Sequence, residues 1–107
     1  MEIKINGRHG SVRPEADEYI RGKVEKILTY FERVTQIEVV VDFEHDKAKV
    51  KILVDTEHRH DFVASNEADE VTVAFDSALH KVEQQVRKYK DKVQNHRRDT
   101  PMGGPTH

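Results

Sequence analysis

The chain has 107 residues, no cysteine, 36% apolar against 36% charged residues, and a formal charge of -2. This is enough for one domain with a thin core, a single layer between a sheet and its helices. It excludes a disulfide frame, a thiol nucleophile and a thiolate metal site, and no apolar run reaches signal-peptide or membrane-span length, so a cytoplasmic protein with no membrane partner is expected.

Glu2 to Asn6 alternates, with Ile3 and Ile5 on one side, and predicts a first strand ended by Gly7. Gly10 and Ser11 link it to a helix that opens at Pro14, where a missing N–H would be unpaired anyway. Glu15, Asp17 and Glu18 suit the positive end of that helix dipole. Ala16, Ile20, Val24, Ile27, Leu28 and Phe31 recur at helical spacing and form its buried stripe. Gly22 sits mid-helix at a cost of roughly 1 kcal/mol relative to alanine; it is either bland or a site of close approach by a partner.

Strand two is predicted over Gln36 to Glu44, with Ile37, Val39, Val41 and Phe43 inward and Glu38, Asp42 and Glu44 outward. His45-Asp46-Lys47 turns the chain into strand three, Ala48 to Thr56, with Val50, Ile52 and Val54 inward and Lys49, Lys51 and Asp55 outward. Glu57 to Arg59 is a second turn, and a weaker strand runs from His60 to Ser65. One-faced alternation puts water on one side of the sheet and helices on the other. The outward lysines and acids can pair across strands, which makes that side a solvated face, not a site.

Asp69 to Gln94 carries apolar residues at Val71, Phe75, Ala78, Leu79, Val82, Val86, Tyr89 and Val93, in steps of three and four. That is the helical period, and at ~1.5 Å per residue the helix is about 37 Å long. After His96 the chain is polar and rich in glycine and proline, so residues 1–95 are expected to form the domain and 96–107 a disordered tail. The order predicts an α+β fold, β-α-β-β-β-α. It is a four-stranded mixed sheet with strands one and two parallel through a right-handed crossover, and two parallel helices packed on one face.

Charge is segregated along the chain: residues 1–35, 36–76 and 77–107 sum to +1, -7 and +4. Tyr19, Lys23, Lys26, Tyr30 and Arg33 form a stripe along one edge of the first helix. In the second, Lys81, Gln85, Lys88 and Lys92 line one edge, and Arg87 and Lys90 the other. Such stripes can follow successive phosphates; the plain alternative is an ordinary solvated helix face. Like charge along the Lys81, Lys88 and Lys92 edge, unrelieved by glutamate at i−4, favours the anion-binding reading. His58-x-His60 beside Asp61 is the one metal-like spacing, but a third ligand is not evident and no metal is expected. There is no nucleophile with a nearby base and no glycine-rich phosphate loop, so a non-enzyme without cofactor or small-molecule substrate is expected.

Three stretches, taken in order and spacing, resemble the short form of the ribosome hibernation factors, the family of hibernation-promoting factor and ribosome-associated inhibitor A. They are Ile5-Asn6-Gly7-Arg8-His9, Lys23-x-x-Lys26-x-x-x-Tyr30-Phe31, and Ala74-x-Asp76 followed by Lys81-x-x-x-Gln85-x-x-Lys88-x-Lys90-x-Lys92. The resemblance covers about residues 1–95. It implies binding to the small ribosomal subunit between head and body, where the protein would compete with mRNA and the A- and P-site tRNAs and inhibit translation in stress or stationary phase. It also implies that Lys23, Lys26, Lys81, Lys88, Lys90 and Lys92 contact rRNA phosphates; Arg87 joins them on charge and position alone. Gln84 stands where the family often has a base, and Thr72-Val73 where it often has an aromatic and an alanine. With neither a long linker and second domain nor a strongly acidic tail, the hibernation-promoting branch is nearer. Two alternatives are a double-stranded RNA-binding module, and a protein-interaction domain with no RNA role.

Overall fold

The alternating and helical patterns resolve into six elements. The computed structural model describes residues 2–30, 34–57 and 61–99. The elements are β1 (Glu2–Arg8), α1 (Pro14–Tyr30), β2 (Val34–Glu44), β3 (Lys47–Thr56), β4 (Phe62–Ala68) and α2 (Val71–Asp99). They form one sheet in the order β1-β2-β3-β4, with β1 and β2 parallel and the other pairs antiparallel. This is the expected β-α-β-β-β-α fold with a mixed sheet. Because β4 runs in the direction of β1 and β2, each helix leaves the same end of the sheet and returns across it, so the two helices are parallel.

Period-two burial holds the two layers together. Ile37, Val39 and Val41 of β2 and Val50, Ile52 and Val54 of β3 are fully buried, as are Ile20 and Val24 of α1 and Ala74, Phe75, Ala78, Val82 and Val86 of α2. Each such large side chain contributes about 1.5–3 kcal/mol on leaving water. Val71 and Tyr89 of α2 are half-buried at either end of this seam. The Ile27, Leu28 and Val93 side chains, and Phe31, lie outside the described residues. On the other sheet face, which also carries Val40, Leu53 and the exposed Val63, Arg8, Asp42, Lys49 and Glu67 stand side by side across the four strands. Alternating sign along such a row is mildly favourable.

Several boundaries differ from the sequence reading, each for a local reason. β1 runs through Gly7 to Arg8. Gly7 serves the following loop instead of ending the strand: a Cβ there would come 2.6 Å from the Gly10 carbonyl oxygen. Gly10 in turn leaves no room for a side chain beside the Phe43 ring. β2 starts two residues earlier than expected because a bulge between Val34 and Gln36 lets the strand begin at Val34. β4 is displaced toward the C-terminus, since its ladder with β3 extends to Ala48↔Ala68 and pairs the polar Asn66 and Glu67 as well. In α2, the Ala74 amide donates to the Glu70 carbonyl at 3.0 Å, so Asp69 and Glu70 precede the helix. Its far end passes Gln94 and reaches Asp99, so residues 96–99, assigned from sequence to the tail, are helical. Residues 100–107 and the His58-x-His60 pair lie outside the described residues.

Candidate nucleic-acid interface

Two polar side chains of α2 tie one flank of the helix to β4. The Lys81 ammonium donates to the Ser65 carbonyl at 3.0 Å and to Asn66 Oδ1 at 3.4 Å, and Gln85 Nε2 donates to the Val63 carbonyl at 3.0 Å. β4 is an edge strand, so these carbonyls have no neighbouring strand to pair with. Lys81 and Gln85 therefore close an edge that would otherwise be open to another strand. Rising numbers on α2 meet falling numbers on β4, which gives the helix direction. Lys88 and Lys92 continue the same flank at steps of three and four, beyond Val86, the last fully buried residue of α2 among those described.

The opposite flank faces α1. Tyr19 donates its hydroxyl to both carboxylate oxygens of Asp76, at 2.8 and 2.7 Å, and its ring meets Phe75 edge-on with centroids 6.2 Å apart. Hydrogen bonding to Asp76, then burial, then the Asp76 charge hold the Tyr19 hydroxyl above its ordinary pKa, so at neutral pH it is a donor. Glu83, Arg87 and Lys90 follow Asp76 along this flank at steps of seven, four and three. On α1, Lys23 and Lys26 follow Tyr19 at four and three. The Lys23 ammonium lies 5.4 Å from the Tyr19 ring centroid. The furrow between the helices thus has an acidic, tyrosine-tied end and a basic end.

The seven candidate residues accordingly fall into two rows. Lys23, Lys26, Arg87 and Lys90 line the furrow; Lys81, Lys88 and Lys92 line the β4 side. Lys26, Arg87, Lys88 and Lys92 are exposed and have no ion pair or hydrogen bond among the described residues. Lys81 differs, because two of its three N–H groups already serve β4. The sequence reading missed two structural polar residues, Gln85 as an edge cap and Asp76 as the acceptor for Tyr19. Tyr19 itself is committed to Asp76, Phe75 and Lys23. The Tyr30 side chain and Arg33 lie outside the described residues.

A metal-binding group of three or more His, Asp or Glu side chains does not occur among the described residues. No helix among them is long and apolar enough to cross a membrane. Asp55 is raised above its usual carboxylate value by burial first, then by the charge and hydrogen bond of Asp61, then by Glu38. These carboxylates lie on or beside the sheet face turned away from the helices.

A β-α-β-β-β-α domain with two parallel helices on one sheet face is also the fold of a ribosomal subunit interface protein of known structure. The chain is a member of the sigma 54 modulation protein / S30EA ribosomal protein family, whose model matches residues 3–94. It is 30% identical over 98 residues to the ribosome hibernation promoting factor of Escherichia coli K12, covering 90% of this chain and all of that protein. It is 25% identical over 95 residues to the factor of the same name from Pseudomonas putida, covering 89% and 92%. Among solved structures, a ribosomal subunit interface protein from Coxiella burnetii superposes with a TM-score of 0.78 at 24% identity, over 85% of this chain and 99% of that one. The Thermus thermophilus Protein Y N-terminal domain does so with a TM-score of 0.74 at 24% identity, over 83% and 99%. The last two define a shared fold. The family is one of ribosome hibernation factors, not a class of enzymes.

Proposed function

We propose that this protein is a translation inhibitor of the cytoplasm that binds small-subunit rRNA between head and body. There it occupies the path of mRNA and of the A- and P-site tRNAs and silences ribosomes in stress or stationary phase. The observation that carries this reading is the set of exposed cations without partners, Lys26, Arg87, Lys88 and Lys92. A face that serves only stability tends to pair its charges within the helix, and i,i+4 ion pairs are the usual means. Free lysines a helical turn apart, about 6 Å, can each meet a phosphate and release its counterions.

Lys88, Lys92 and Lys26 are the leading contacts, with Lys23, Arg87 and Lys90 beside them; Lys81 contributes least because its ammonium is shared with β4. Phosphate contacts carry no sequence information, so specificity comes from the shape of the rRNA that can receive both rows at once. The charge-reversed Lys88→Glu/Lys92→Glu variant tests the site in a pelleting assay with purified small subunits. Strongly weakened binding with an unchanged thermal midpoint is expected. Binding equal to that of the unmodified protein would remove these two lysines from the site.

A further inference from the structure

Lys23 and Asp76 share one neighbour, the Tyr19 side chain, yet no ion pair joins them. Asp76 accepts from the Tyr19 hydroxyl through both of its oxygens, and the Lys23 ammonium lies over the face of the same phenol ring, 5.4 Å from its centroid. No ion pair to Lys23 occurs among the described residues, although the residue is half-buried. The phenol thus separates the two charges: its oxygen occupies the carboxylate and its π face holds the ammonium. A cation held over a ring keeps all three N–H groups for another acceptor, whereas a salt-bridged lysine does not.

We propose that Tyr19 is a positioning residue that insulates Lys23 from Asp76 and so keeps Lys23 available to a phosphate of the RNA. This rests on the phosphate-binding reading of the furrow given above. The ring is braced edge-on by Phe75, which is fully buried, so the phenol has a fixed place between the helices. Without the hydroxyl, Asp76 has no described donor, and Lys23 is the cation that shares its Tyr19 neighbour. Pairing of the two would cancel one positive charge at the end of the basic row. Asp76 then acts on RNA binding only through the residue it is allowed to meet.

The test is a set of four variants, Lys23→Gln, Tyr19→Phe, Tyr19→Phe/Lys23→Gln and Tyr19→Phe/Asp76→Asn, measured for small-subunit affinity across a salt series. Thermal unfolding confirms that each is folded. Tyr19→Phe keeps the ring and removes only the donor. It is expected to lower affinity about three- to tenfold and to reduce the slope of log K against log salt by roughly 0.7–0.9, the share of one phosphate contact. Lys23→Gln is expected to do the same, and the Tyr19→Phe/Lys23→Gln variant to lose nothing more. Removing the acid should restore binding in Tyr19→Phe/Asp76→Asn, although the tie between the helices is still absent. A loss that persists in Tyr19→Phe/Asp76→Asn would make the pair a simple brace and overturn the insulation, as would a Tyr19→Phe variant with unchanged affinity and slope. If Lys23→Gln itself leaves affinity and slope unchanged, Lys23 is not a phosphate contact and the proposal falls together with that part of the reading.

Discussion

Replacing Lys81 and Gln85 together by methionine removes the donors that α2 offers to the β4 edge, and little else. Methionine matches lysine and glutamine in helix propensity and is similarly unbranched, so the helix itself is not penalised. The bonds lost are Lys81 to the Ser65 carbonyl and Gln85 to the Val63 carbonyl, both at 3.0 Å, with the longer Lys81 bond to Asn66 at 3.4 Å. A side-chain hydrogen bond contributes about 0.5–1.5 kcal/mol net. These carbonyls lie at the free edge of the sheet and regain water when uncapped, so the low end applies and the pair should cost about 1 kcal/mol. For a domain of this size that is a fall in Tm of about 4–8 °C. A second consequence follows from the opened edge, which becomes a template for another strand. Thermal unfolding by circular dichroism and sedimentation velocity at several concentrations read the two effects. A lower Tm with concentration-dependent association, and a loss of small-subunit affinity smaller than that of Lys88→Gln/Lys92→Gln, is expected. An unchanged Tm with a loss of binding as large as for those lysines would refute the assignment of Lys81 to the fold.

Other expectations follow from single positions. Gly22 has nothing within 4 Å of where a Cβ would stand; Gly22→Ala should stabilise the protein by up to about 1 kcal/mol in denaturant unfolding with no change in subunit affinity. Gly7→Ala should destabilise by about 1–3 kcal/mol, because the new methyl meets the Gly10 carbonyl and the loop must move. Asp55 is raised in the folded protein by burial, Asp61 and Glu38. A raised carboxyl is at its best protonated, so its share of stability is full below the ordinary carboxylate range and is lost as pH rises through the folded value. Asp55→Asn should therefore raise Tm at neutral pH, and the gain should vanish as the pH falls below about 4; a gain independent of pH would contradict this.

Most of the fold was legible because the chain states it locally. β2 and β3 carry clean alternation, and Ile37, Val39, Val41, Val50, Ile52 and Val54 are all buried as the pattern requires. β4 was harder to place because its inward positions include the small Ala64 and Ala68, and its register comes from the ladder to β3 instead of its own hydrophobicity. Gly7 read as a stop because glycine usually is one; its close approach to Gly10 involves a loop that alternation cannot describe. The end of α2 was underestimated for a related reason: its last residues are polar, and a helix extending beyond its core needs no apolar stripe. Within the candidate site, helical spacing separated Lys81, Gln85, Lys88 and Lys92 from Arg87 and Lys90. It could not tell that one row runs beside an unpaired strand edge and the other beside α1. That difference is tertiary, and it is what sets Lys81 apart from Lys88 and turns Tyr19 from a surface aromatic into a partner of Asp76.

Co-sedimentation reads out whether the protein occupies the path of mRNA and tRNA on the small subunit. The purified protein is run with ribosomes on sucrose gradients at low and moderate salt, with and without mRNA and tRNA. The protein should travel with the small subunit, less so at the higher salt, and mRNA and tRNA together should displace it. Protein that stays at the top of the gradient at both salts, or that remains bound when that path is filled, would contradict this occupancy.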